Sequence, residues 1–240
     1  MPQAREVIAM WGLSAGEFEA VRLSILVAAT AVVASLPAGV ALGWLLARRR
    51  FWGKNALETA LNLPLVLPPV VTGYLLLVTF GRNGWLGQHL DRTFGLRLVF
   101  DWKGAALAAA VISFPLMVRA IRLAFQTVDE RLEHASRTLG APWYDTFFTI
   151  TLPLARHGLI AGCVLAFARS MGEFGATIMI AGNIPGETRT IPLYIFNLLE
   201  SPGGAAQAHR LVIVSVLIAA AALVMGEVME RRGQARWSAA

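Results

Sequence analysis

The chain of 240 residues is 56% hydrophobic and only 15% charged, with a mean hydropathy of +0.60, whereas soluble domains carry roughly 25% charge. That balance excludes an ordinary soluble domain, a disordered chain and collagen, and a single cysteine excludes a disulfide scaffold. A net charge of +6 would suggest nucleic acid in a soluble protein, but here the basic residues crowd the ends of apolar runs, which points to a lipid bilayer and to no nucleic-acid partner.

Met1–Glu19 holds one arginine and no compact apolar core, so no cleaved secretory signal is expected there. Leu23–Ala47 and Thr59–Phe80 are charge-free and long enough to cross a bilayer, which takes about 20 helical residues. Gly104–Val118 and Leu211–Gly226 are shorter. Arg119, Arg122 and Arg210 extend them, because long basic side chains carry their charge to the interface. Leu159–Ala168 is apolar, Arg169 and Glu173 interrupt, and Phe174–Ala181 resumes. The expectation is one all-α membrane domain over 1–240 with five spans, at about 21–47, 57–80, 104–124, 156–181 and 208–228.

Basic residues near span ends set the orientation. Arg48, Arg49, Arg50 and Lys54 share one short loop, and Arg231, Arg232 and Arg236 follow the last span. Both regions are expected on the cytoplasmic side, which puts the N-terminus outside and the 125–153 loop inside. Arg82, Arg92, Arg97 and Lys103 fall in the outer 81–103 loop and dilute this bias. Trp85 and Trp102 suit the aromatic interface belt.

Pro64, Pro68 and Pro69 lie in one expected span, where each removes a backbone donor, so that helix is bent or broken. The break is either a packing kink or irregular backbone lining a pathway, with Pro68, Pro69 and Thr72 the candidates to line it. The pairs Gly39/Gly43 and Gly158/Gly162 let helices approach closely. Cys163, inside an apolar run, is expected to serve packing. Arg169 and Glu173, four apart, are expected on one face of one helix. They are either a self-satisfying ion pair or part of a pathway for a charged substrate.

No catalytic set emerges. Gly12-Leu-Ser14-Ala-Gly16 fits the hydrolase elbow pattern but follows no strand signal, and His89, His134, His157 and His209 share no triad or metal spacing. An intramembrane enzyme is therefore the weaker alternative. No phosphate-binding loop exists either, since Gly53-Lys54-Asn55 lacks the hydroxyl residue and the upstream glycine. Any ATP used would be bound by another chain.

The inner loop from Asp129 to Trp143 reads as two short helices. Asp129 caps the first, Glu130 and Glu133 suit its positive end, and Gly140 permits the left-handed turn that closes it. Pro142 opens the second, whose Trp143, Phe147 and Ile150 form an apolar stripe. A polar elbow with an apolar anchor is a docking element.

Gly140 followed nine residues later by Ile150-Thr151-Leu152-Pro153 resembles the EAA loop of ABC importer permeases. His134 stands in the motif's glutamate slot, with Ala135 and Ser136 in its alanine slots and Glu133 one place early. Three further stretches resemble the molybdate permeases of that family: Asn62–Tyr74, Ser113–Arg122, and Gly172–Thr177 with Gly182–Pro192. The resemblance implies a MetI-like helix bundle in the inner membrane, paired with a second copy of itself. It implies two ATPase subunits holding ATP and Mg, a periplasmic molybdate-binding protein outside, and no cofactor or metal on this chain. Sulfate, thiosulfate or tungstate are the alternative substrates. The implied ATPase-coupling residues are Glu133, His134, Ala135, Gly140, Phe147, Ile150, Leu152 and Pro153, and the pathway candidates are Arg169, Glu173, Pro68, Pro69 and Thr72. Asn183, Pro185 and Arg189, beside the Pro185-Gly186 turn, are candidate contacts for the binding protein, or a plain connecting loop.

Overall fold

The computed structural model describes residues 14–237, with side chains through Val228. Gly12 of the Gly12–Gly16 pattern, and the side chains of Arg231, Arg232 and Arg236, lie outside the described residues. The described residues form helices α1 (Ala15–Arg48), α2 (Lys54–Val66), α3 (Pro69–Phe80), α4 (Trp85–Phe94), α5 (Trp102–Thr127) and α6 (Glu130–Thr138). They continue as α7 (Trp143–Met171), α8 (Gly175–Ala181), α9 (Ile191–Glu200) and α10 (Ala205–Trp237). Helices α1, α5, α7 and α10 are each long and apolar enough to cross a membrane.

Helix α1 starts on Ser14, whose hydroxyl accepts from the Glu17 N–H while Glu17 accepts from the Ser14 N–H. Ser14 therefore serves as a helix cap. Helices α2 and α3 diverge by 109° at Leu67 and Pro68, as the proline cluster predicts. This pair still carries the chain from one end of the bundle to the other. Arg48, ending α1, bonds to α6, and Glu58 on α2 pairs with Arg122 near the end of α5. The far end of α3 lines one cavity together with Leu98 and Phe100, just ahead of α5. Among the described residues the four long apolar helices, with α2 and α3 taken together as one bent span, make five crossings of the bundle: α1, α2 with α3, α5, α7 with α8, and α10.

Helix α5 is the axis of the fold, with 61% of its most apolar window buried. Both glycine pairs serve it. A Cβ on Gly39 or Gly43 would press on Met117 and Ile121, and one on Gly158 would lie 2.3 Å from the Ala124 Cβ. With no hydrophobic drive between helices in lipid, such close backbone approach supplies the packing that holds them. Cys163 sits half-buried against this cluster, a packing position.

Three expectations need correcting. The fourth span is not one helix over 156–181: α7 begins at Trp143, stops at Met171, and α8 starts anew at Gly175. Glu173 takes the Ala176 N–H and so begins a new helix, which places it in a break rather than on the helix of Arg169. The second short helix of the inner loop is also not separate. Its residues are the first turns of α7, joined through a π-turn at Phe147–Thr151. Pro153 has no N–H for the Thr149 carbonyl and its ring would strike that carbonyl, so the helix widens instead of ending. The stretches 81–103 and 182–207 also hold helices α4 and α9, which periodicity did not reveal.

Candidate functional site: a polar clasp, a broken span and a capped turn

At one end of the bundle, α6 stands on polar contacts. Asp129 caps it through the Arg131 N–H, and Gly140 closes it at φ +93°, both as expected. None of its residues is buried. Glu133 turns inward, where its Oε1 accepts from Arg48 Nη2 at 2.9 Å, Arg48 Nε at 3.2 Å and Thr151 Oγ1 at 3.0 Å. Arg48 also donates to Glu130 at 3.1 Å and to the Val128 carbonyl at 2.7 Å. Its side chain is only 8% exposed. One guanidinium fork and one carboxylate oxygen thus join the ends of α1 and α5, the start of α7, and α6. Ser136 adds a hydroxyl contact to Thr146 at 3.1 Å.

Beneath this clasp, Trp44 packs on Trp143 and edge-on to Phe147, which in turn meets Phe125. Phe147 therefore anchors the elbow. His134 and Ala135, in the motif's own slots, face out, together with Leu132, Leu139, Tyr144 and Phe148. Ile150 and Leu152 are half-buried, and Pro153 is exposed where it widens α7. Sequence reasoning missed Arg48 and Thr151 as members of this site. Arg48 registers in sequence only as one of several basic residues after the first apolar run, and nothing local ties it to a partner 85 residues away.

The second constellation lies midway along the bundle, where two breaks meet. Arg169 Nη1 reaches Glu173 Oε2 at 3.0 Å, while Glu173 Oε1 holds the Ala176 N–H at 3.0 Å. Glu173 is buried, whereas the Arg169 side chain is 32% exposed. The geometry brings the pathway candidates of both spans together. Gly175 rests on Pro69 and Val70, and a Cβ on Gly73 would meet Ala176 backbone atoms at 2.7 Å. Thr72 is buried on the same helix, and its hydroxyl finds no hydrogen-bond partner among the described residues. Pro68 and Pro69 are exposed beside it. Below the break, Ser170 donates to Ser113 at 3.1 Å, a buried link between α7 and α5.

At the opposite end, 183–189 is a tightly bonded turn. The Ile184 carbonyl accepts from the N–H groups of Glu187, Thr188 and Arg189, and buried Thr188 takes the Ile184 N–H. Arg189 donates to Asn183 Oδ1 at 2.9 Å and lies over the Tyr194 ring at 5.3 Å. The turn holds up Pro185, Gly186 and Glu187 as an exposed tip. The adjoining Ile191 N–H is held by Ser24 of α1 at 2.7 Å.

The arrangement is a polar clasp at one end, a broken span midway and an exposed turn at the other. Comparison with known proteins gives the family. The sequence profile for "Binding-protein-dependent transport system inner membrane component" matches residues 39–232. The molybdenum transport system permease protein ModB of Escherichia coli (strain K12) is 56% identical over 220 residues, 92% of this chain and 96% of that protein. The sulfate transport system permease protein CysW of Synechococcus elongatus is 37% identical over 177 residues, 74% of this chain and 62% of that one. In fold, the chain is similar to a bacterial alginate ABC transporter solved with its alginate pentasaccharide-bound periplasmic protein, at TM-score 0.72 and 16% identity over 94% of this chain and 82% of that chain. The chain belongs to the family of inner membrane components of binding-protein-dependent transport systems.

Proposed function

We propose that this chain is the channel subunit of an ATP-driven importer that moves molybdate across the inner membrane by alternating access. One observation carries the reading: the near-full-length similarity to a molybdenum permease, which exceeds that to the sulfate permease in both identity and extent. The chain is a permease subunit and no enzyme. ATP and Mg belong to a separate ATPase subunit, two copies of which dock on the α6 end, and this chain carries no cofactor or metal of its own. Arg48, Arg49, Arg50 and Lys54 favour the cytoplasm for that end, with the N-terminus outside. The outward His134, Ala135 and Leu139 supply the ATPase contact. A second copy covers the apolar face left open on α2 and α3 by Leu63, Val66, Val70 and Tyr74. A periplasmic molybdate-binding protein meets the turn at Asn183, Pro185 and Arg189.

The chemistry at the break suits a dianion. Arg169 is a half-buried cation there, and Glu173 already answers part of its charge, which keeps the anion's binding weak enough for release. Closure of the ATPase subunits pushes α6, and the bundle changes which end it opens. The test is ATP hydrolysis by the purified assembly. Adding molybdate-loaded binding protein should raise it, and a rate indifferent to that addition overturns the proposal.

A further inference from the structure

We propose that Arg48 is a positioning residue for energy coupling: with Glu133 it locks α6 to the end of α1, so that a push on α6 moves α1, α6 and the start of α7 as one body. This rests on the transport reading above. A nine-residue helix is too short to persist by propensity, and its apolar side chains do not bury it, since Leu132 is 47% exposed and Leu139 at its end 89%. Force applied to it can reach the spans only through its covalent ends and its polar contacts. The strongest of those converge on Glu133 Oε1, which collects donors from α1 and from the start of α7, while Arg48 also grips the carbonyl that ends α5.

The residue type matters. An arginine fork satisfies Glu133, Glu130 and the Val128 carbonyl together in fixed directions, whereas a lysine offers three rotatable donors from one nitrogen and lacks the spread of the fork. Charge-assisted bonds of this kind are the shorter and stronger ones. The clasp also accounts for the offset in the motif. The glutamate one place early points into the bundle, and His134 in the usual slot points out of it.

The test uses the full assembly in vesicles, with labelled molybdate moved per ATP hydrolysed as the readout, normalised to assembled complex. Arg48→Gln should lower that ratio about fivefold or more, the lower end of ordinary coupling between sites. Arg48→Lys should fall between the two. Glu133→Gln added to Arg48→Gln should cost little more, because both remove one clasp. A merely structural role would reduce the amount of complex and leave the ratio alone. A wild-type ratio in Arg48→Gln, or an additive loss in the double variant, overturns the proposal. Should Arg48→Gln fail to assemble, Arg48→Lys and Thr151→Val decide instead: reduced ratios support the clasp, and wild-type ratios in both overturn it. A wild-type assembly that takes up no molybdate would refute the transport reading itself, a different result from transport with fully coupled variants.

Discussion

Gly158 of α7 packs tightly against Ala124 of α5, and this gives a sharp prediction. A Cβ at position 158 would lie 2.3 Å from the Ala124 Cβ and 3.2 Å from its Cα. Carbon atoms rest at about 3.5–4.0 Å, so Gly158→Ala must move the two atoms apart by roughly 1.2–1.7 Å. The displacement is not local. One turn on, a Cβ at Gly162 would already sit 3.2–3.3 Å from Ala120, Ile121 and Met117, so the same helix pair is tight along its length. Overpacking of this kind costs roughly 1–3 kcal/mol. Thermal or SDS-induced unfolding of the purified protein should show that loss. Ala124→Gly removes the methyl group being struck, at a helix-propensity cost of about 1 kcal/mol. The pair Gly158→Ala with Ala124→Gly should therefore be more stable than the sum of its single effects by roughly 0.5–3 kcal/mol. Wild-type stability in Gly158→Ala, or strict additivity in the pair, would refute the close-packing argument.

Other consequences are as direct. A Cβ at Gly140 would meet no neighbour within 4 Å, so the main cost of Gly140→Val is the left-handed backbone, about 1–2 kcal/mol for an ordinary L-residue and more for a β-branched one. Membrane insertion should survive and transport per ATP should fall; unchanged coupling would remove the elbow from the mechanism. Ser24→Ala strands the buried Ile191 N–H and should destabilise the protein by about 1–3 kcal/mol in the same unfolding assay. Arg169→Gln leaves Glu173 held by the Ala176 N–H, so assembly should persist while molybdate uptake drops. Normal uptake in that variant assigns Arg169 a structural role only.

Much of this architecture is legible in the sequence wherever one local cause dominates. Three prolines foretell the break before α3, paired glycines foretell close contact, and Asp129 and Gly140 mark both ends of α6. The misreadings arise where tertiary context outweighs local pattern. The apolar pattern resumes at Phe174 after Arg169 and Glu173, so nothing in periodicity announces that Glu173 will leave α7 to begin α8. Pro142 and Pro153 bracket a segment that reads as a free helix, yet a widened turn merges it with the span. Helix α9 carries only ten residues, too few to register against a membrane-length window. The clasp was out of reach for a simpler reason: Arg48 and Glu133 meet only after two full crossings of the bundle.

The central claim is that this chain passes molybdate. Its most direct test is ATP-dependent uptake of labelled molybdate into vesicles holding this subunit, its ATPase and its binding protein, with sulfate in large excess as competitor. The account predicts uptake that needs all three components and persists in sulfate. Uptake abolished by sulfate, or absent altogether, would contradict it.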